Sequence, residues 1–274
     1  MALFEVDPDK CIHDGLCQAA CPAHIIELTD DADTPVPIAG ADELCINCGH
    51  CVSVCPTGAL SLKTMDPIKL TEITPALSIT PEQMEQLLRS RRSMRVYDQR
   101  PVDKALLERL IAIADSAPSA ANIRPVEWLV IHDTKEVRRL GGIIADWMRM
   151  MLKEHPEIAG PRHFDRHVEM WDNGVDRLLR GAPHVVLTHA PATELWGEVD
   201  GTIALTYLEL AAHAFGLGAC WAGYLKLTAA MYPPMMEALD LPEGHRVLGA
   251  MMIGHTDLKY ARIPDRGTPR VIWR

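Results

Sequence analysis

The stretch CINCGHCVSVCP, residues 45–56, spaces Cys45, Cys48, Cys51 and Cys55 as C-x2-C-x2-C-x3-C and follows them with Pro56. Three thiolates so spaced wrap one iron-sulfur cluster, and the fourth serves another. A structural zinc site is the alternative use of four cysteines, but its ligands come as two knuckles parted by a longer loop. Seven of the eight cysteines lie between residues 11 and 55. The opening residues, MALFEVDPDK, carry no charged-then-apolar targeting pattern, so metal ligation explains this density better than disulfides do, and the expected compartment is the cytoplasm.

Shifting the run back by 34 positions lays it on CIHDGLCQAACP, residues 11–22. Cys45, Cys51 and Cys55 fall on Cys11, Cys17 and Cys21, Gly49 on Gly15 and Pro56 on Pro22, while Cys48 falls on Asp14. The segment is an internal duplication with a carboxylate at one ligand position. A carboxylate oxygen is a harder ligand than a thiolate, so iron held by Asp14 is the more labile and its cluster is prone to become 3Fe-4S. The other reading leaves Asp14 in solvent beside a permanent 3Fe-4S cluster.

Residues 1–64 resemble the bacterial-type two-cluster ferredoxins. By the crossed ligation of that family, Cys45, Cys48, Cys51 and Cys21 hold one 4Fe-4S cluster. Cys11, Cys17 and Cys55 hold the other, with Asp14 facing its fourth iron. The resemblance implies two short hairpins and two helical turns, with the clusters replacing much of the core.

Composition divides the chain at the same place. Residues 1–66 hold 11 acidic residues against two lysines and no arginine, whereas the remainder is nearly balanced in charge. All six tryptophans and five tyrosines also fall after residue 66. Two differently built modules are joined, and 274 residues with 48% hydrophobic content can supply the core of both. The formal charge of -10, with no basic stripe, argues against nucleic acid as a partner. The most apolar long run, 203–225, contains Glu209, His213 and several glycines and reads as a buried helix followed by a turn, not a membrane span.

Residues 65–80 carry prolines and no sustained period, as suits an extended linker. A helix is expected from TPEQMEQLLRS, with Thr80 as cap, Pro81 in first position and an apolar stripe of Met84, Leu87 and Leu88. It runs into RRSMRVYD, where Arg91, Arg92 and Arg95 surround Ser93, a set suited to gripping a phosphate. A solvated helix end is the other reading of that charge run. Next come a helical segment, VDKALLERLIAIADSAP, the loop PSAANIRP and the strand-like WLVIHD. Later segments are the strand GAPHVVLTHA, a helix over 200–215, GLGACWAGYL and VLGAMMIGHTDLKYARIPDR.

In this order the segments resemble the nitroreductase family of flavin enzymes, over residues 81–274. That resemblance implies an α+β fold, an antiparallel sheet surrounded by helices, in an intertwined homodimer with FMN at the subunit interface. It assigns Arg91, Arg92, Ser93 and Arg95 to the FMN phosphate and ring edge, and Ser119 and Asn122 to the loop beside the flavin. Ala222 and Gly223 become the backbone facing the reactive ring nitrogen, and Arg262 a second phosphate contact. Arg124 stands where many members carry glutamine, either to stabilise electron density on the reduced ring or to pair with Glu127. Tyr260 stands where some have lysine.

Other residues admit plainer readings. His163 and His167, with Asp165 and Glu169, have metal-ligand spacing, yet the sequence marks no third ligand, and a solvated or lid-like helix is preferred. Trp147, Met148, Met150, Met151 and Trp171 form either a flavin cover or a core stripe. Cys220 reads as a small buried residue beside Trp221, and no catalytic acid or base is marked.

Clusters move single electrons and flavin can deliver a pair, so the combination reads as an FMN oxidoreductase. Its clusters are expected to relay electrons to FMN for reduction of a nitroaromatic, quinone or activated alkene. The alternatives are a flavoenzyme reduced by NAD(P)H that passes electrons outward through the clusters, and an electron-transfer or flavin-binding adaptor without its own substrate. Expected redox partners are ferredoxin, flavodoxin or NAD(P)H.

Overall fold

In the computed structural model, which describes residues 3–29 and 32–274, the chain divides into two units. One comprises Met1–Ser78 with Ala121–Ile123, and the other comprises Ile79–Ala120 with Arg124–Arg274.

In the first unit β1 (Phe4–Val6) leads to the short helix α1 (Leu16–Ala20), then β2 (Ile26–Glu27), β3 (Val36–Pro37), α2 (Ala41–Leu44), α3 (His50–Val54) and β4 (Leu60–Leu62). β1 pairs antiparallel with β4, Glu5 opposite Ser61, and β2 pairs with β3, Ile26 opposite Pro37. The 34-residue repeat is written into the backbone. Left-handed conformations recur at His13 and Asn47, at Gly15 and Gly49, and at His24 and Gly58. Gly15 and Gly49 each start a helical turn, and Cys21 and Cys55 each end one in extended conformation. The core between the hairpins is small, with Phe4, Ile25, Ile26, Val52, Leu60 and Leu62 buried beside Cys17, Cys21 and Cys51. A module of this size commonly needs a metal to complete its folding energy.

Residues 65–80 are exposed over most of their length and carry two 3-10 turns, Pro67–Lys69 and Pro75–Leu77.

The second unit begins with α4 (Pro81–Ser90), whose capping box is complete. Thr80 Oγ1 accepts from the Gln83 N–H at 3.3 Å and Gln83 Oε1 accepts from the Thr80 N–H at 2.9 Å. The apolar stripe of α4 is not covered within the chain: no α4 residue is buried, and Met84 and Leu88 are exposed. Then follow α5 (Lys104–Ala114), β5 (Glu127–Ile131), the long α6 (Thr134–Glu154), α7 (Pro156–Ala159) and α8 (Phe164–Asp172). β6 (His184–Pro191), α9 (Gly197–Ala214), β7 (Leu217–Trp221), α10 (Gly223–Met231), α11 (Pro233–Leu239) and β8 (His245–His255) complete the unit. The run 203–225 thus holds a strand as well as a helix. Gly216, at φ 74°, reverses the chain, and the small residues of β7 enter the sheet.

The sheet is antiparallel in the order β5-β6-β8-β7. Period-two alternation sorts its side chains to two faces. Val186, Ala219, Met251 and Ile253 pack with α5 and α9 through Leu107, Leu110, Leu205, Leu208 and Ala212. Val185, Leu187, Cys220, Ala250 and Met252 face α6 and α10 through Leu140, Ile144, Met148, Leu225 and Ala229. α9 lies unusually close to the sheet, since a Cβ on Gly201 would sit 2.7 Å from Leu248 Cβ. Trp147, Met148 and Met151 are core, which decides between their two readings.

Candidate functional site

In the first unit the two cysteine runs exchange members. Cys21, Cys45, Cys48 and Cys51 line one cavity. Cys11, Asp14, Cys17 and Cys55 line another. All seven cysteines are free thiols. Burial pushes the Cys51 thiol up to about 11 and raises Cys17 too, with Cys55 and Asp14 adding to the rise at Cys17. Such a group of thiols carries its protons until a metal displaces them. Cys55 moves the other way: burial is outweighed by hydrogen bonds from Thr57 and from the N–H groups of Ala59 and Leu60. Four donors around each cavity, with no disulfide competing, fit a cluster in each. Asp14, which lines the second cavity, accepts the Leu16 N–H on Oδ1 at 3.1 Å.

In the second unit the cationic segment 91–95 is attached to the edge of the sheet. The Met94 N–H donates to the Ala219 carbonyl of β7 at 2.9 Å, and Gly218 leaves room for the approach, as a Cβ there would meet Met94 Cβ at 2.8 Å. Arg91 Nη1 donates to Glu209 Oε1 of α9 at 2.6 Å, with the carboxylate 7% exposed. Arg92 turns one guanidinium nitrogen to the carbonyls of Arg89 and Arg91, and its Nη2 is buried with no partner. Arg95 lies near Arg180, which has Arg177 beside it as well. Burial, then Arg177, then Arg95 draw the Arg180 guanidinium below its ordinary range. The sequence reading missed Arg177 and Arg180, because only the fold brings them to a segment more than 80 positions earlier. An orphaned guanidinium donor and crowded cations fit an anionic phosphate.

Ala222 is held by its N–H to the Ala250 carbonyl at 2.8 Å, and Gly223, where a Cβ would meet nothing within 4 Å, opens α10. Beside it the Tyr224 hydroxyl meets His167 Nε2 of α8 at 3.1 Å. Burial first, and then the nearby arginines 180, 177 and 166, hold His167 below the usual imidazole range. His163 and His167 join no ligand cluster with Asp165 or Glu169 among the described residues, and α8 packs on the core through Phe164, Val168 and Trp171. Cys220 is buried and its thiol is raised by that burial despite Arg95 and Ser93, which leaves it a packing residue.

The loop 119–124 is held by its own turns. Ser119 Oγ accepts the Arg124 N–H at 2.9 Å, and the Ala120 N–H donates to Asp200 Oδ1 at 3.2 Å. Ser119, Arg124 and Asp200 line a small cavity. Ala121, Asn122 and Arg124 all have positive φ, a costly conformation for residues with a Cβ. Asn122, which groups with the first unit, donates Nδ2 to the carbonyls of Ile46 and Asn47 at 3.0 Å. Arg124 pairs with Asp115 at 2.5 Å, not with Glu127, because the left-handed turn directs its side chain back to the end of α5. Arg262 lies on the exposed segment after β8 and makes no hydrogen bond among the described residues.

Residues 88–255 match the Nitroreductase family, and residues 4–56 match the 4Fe-4S dicluster domain. The chain is 24% identical over 194 residues to the iodotyrosine deiodinase of Danio rerio, which covers 67% of this chain and 63% of that protein. It is 25% identical over 147 residues to the "Putative NADH dehydrogenase/NAD(P)H nitroreductase" of Methanothermobacter thermautotrophicus, covering 52% of this chain and 61% of that protein. It thus spans less than two thirds of the length of both relatives. Among solved structures, a nitroreductase with bound FMN from Desulfitobacterium hafniense superposes with a TM-score of 0.57 at 20% identity, over 71% of this chain and all of that one. No helix among the described residues is long and apolar enough to cross a membrane.

Proposed function

The chain belongs to the nitroreductase family and carries a 4Fe-4S dicluster domain ahead of it, and from that premise we propose an FMN oxidoreductase fed with electrons through its iron-sulfur module. When bound, the clusters supply electrons singly and FMN supplies them in pairs to an organic acceptor, a nitroaromatic, quinone or activated alkene. The observation that carries the reading is the crossing of the two cysteine runs into two four-donor cavities within a chain of this family.

The residues have separable tasks. Cys21, Cys45, Cys48 and Cys51 hold one 4Fe-4S cluster, and Cys11, Cys17 and Cys55 hold the second with Asp14 as its fourth ligand. Arg92, Ser93 and Arg95 bind the FMN phosphate and ring edge, and Arg91 is held in place by Glu209. Ser119, Asn122 and Arg124 flank the flavin, while Ala222 and Gly223 present backbone to its reactive edge. Arg262 completes the phosphate contacts in a homodimer. The exposed apolar residues of the second unit, among them Leu88, Trp196, Val199, Ile272 and Trp273, support such a pairing, since monomers rarely leave so much apolar surface in water. We place the protein in the cytoplasm, where thiols stay reduced.

The test is anaerobic reduction of the flavin in loaded protein by reduced ferredoxin, compared with a C45A/C48A/C11A/C17A variant that lacks ligands to both clusters and carries FMN alone. Flavin reduction should be at least tenfold slower in the variant, and equal rates would end the reading. The likeness to the NAD(P)H nitroreductase of Methanothermobacter thermautotrophicus favours a second reading, in which NADH or NADPH reduces the flavin directly. Flavin reduction by either nucleotide at undiminished rate in the variant would select it.

A further inference from the structure

We propose that Glu127, His189 and His245 form a binding site for a divalent first-row transition ion, with Zn²⁺ the best match, where β5 starts, β6 ends and β8 starts. The sheet assembles the set from three strands. Glu127 on β5 lies directly opposite His189 on β6, so both side chains stand on one face. His245 is the first residue of β8, opposite Pro191. A bulge between Thr188 and His189 shifts the register against β8, so that His189 faces Val247 where regular pairing would place Leu248. Bulges are common where a sheet re-aims a side chain for a task.

His189 Nδ1 is 2.9 Å from His245 Nδ1, the nitrogen pair that would face the ion. Glu127 lies on the other side of the same ring, its Oε1 4.0 Å from His245 Nε2. One ligand atom from each of the three lies within 4.8 Å of the others. Tetrahedral zinc with ligand bonds of about 2.0–2.1 Å spaces its ligands about 3.3 Å apart. The two imidazoles need to open by a few tenths of an ångström, and the carboxylate closes by rotating a side chain that is 56% exposed. His189 is buried and His245 nearly so, which holds the nitrogen pair in place while the third ligand remains free to arrive. Two histidines and a glutamate are a borderline donor set without sulfur, suited to zinc and unlike the thiolates that serve iron-sulfur clusters. Three protein ligands leave a fourth position for water. Nothing in the flavin or cluster assignments uses these residues.

The test uses full-length protein loaded with clusters and FMN, equilibrated with Zn²⁺ and dialysed. One zinc per chain should remain, and its X-ray absorption fine structure should show nitrogen and oxygen at about 2.0–2.1 Å with no sulfur shell near about 2.3 Å. The H189A/H245A variant should lose that equivalent with iron content unchanged. Because Glu127 is on the surface, E127Q keeps the fold, and it should weaken zinc at least tenfold against a competing chelator. Zinc bound only by sulfur, or E127Q binding zinc as tightly as the unaltered chain, would overturn the proposal.

Discussion

Cys21 and Cys55 end equivalent helical turns with nearly the same backbone, at φ and ψ of -76° and 111° against -70° and 112°, yet they line different cavities. Cys21 joins Cys45, Cys48 and Cys51, and Cys55 joins Cys11, Asp14 and Cys17. Each copy of the repeat therefore lends its last cysteine to the other, so neither copy alone supplies a complete ligand set. Loss of either residue should disturb the module as a whole.

Asp14 makes the two cavities unequal, and D14C should remove the difference. The substitution should raise the iron retained after aerobic handling from about seven to about eight per chain. It should also abolish the paramagnetic signal of an oxidised 3Fe-4S centre. Unchanged iron content and spectra after the same aerobic handling would rule out Asp14 as the weak ligand.

Arg91 and Glu209 form the most buried ion pair joining segment 91–95 to α9. R91A leaves the carboxylate without its partner and should cost about 3 kcal/mol in denaturant unfolding. R91A/E209Q should recover much of that loss. R92Q removes the unpartnered Nη2 together with the two local bonds from Nη1, so it should cost only about 1 kcal/mol of stability yet release FMN. Tight FMN retention by R92Q would remove that residue from the phosphate site.

Two glycines should respond oppositely to alanine. At Gly201 the new Cβ would meet Leu248 at 2.7 Å, pushing α9 from the sheet at a cost of about 1–3 kcal/mol. At Gly142, within α6, the nearest atom is 3.8 Å away on Trp171, so G142A should gain up to about 1 kcal/mol from helix propensity. Thermal melts of the two variants shifting in the same direction would contradict the packing described for α6 and α9.

His184 gives a pH dependence of known sign. Its Nε2 accepts the Val102 N–H at 2.8 Å while its Nδ1 faces the His132 carbonyl at 2.8 Å, which requires the neutral ring. Burial lowers its proton affinity, outweighing the hydrogen bond to His132, and burial lowers that of His167 as well. The unfolded chain then binds more protons than the folded one once the pH drops below about 6.5. Stability from these groups is fully present above that pH and is lost as the pH falls toward the lowered values. Denaturant unfolding of the second unit should show stability declining between pH 7 and pH 5, with a shallower decline in H167Q. Stability that rises on acidification would refute the assignment.

What the sequence determined alone was whatever depends on neighbours along the chain. Thiol spacing, the 34-residue repeat with Asp14 in the place of Cys48, the cap at Thr80 and the cationic segment 91–95 are all local patterns, and local patterns survive without a fold. The tertiary structure decided what depends on residues far apart in sequence. It sorted seven cysteines and one aspartate into two cavities, brought Arg180 to Arg95, and turned Arg124 to Asp115. It also gathered Glu127, His189 and His245 from three strands, a meeting that strand register and a single bulge control and that no periodicity along the chain encodes.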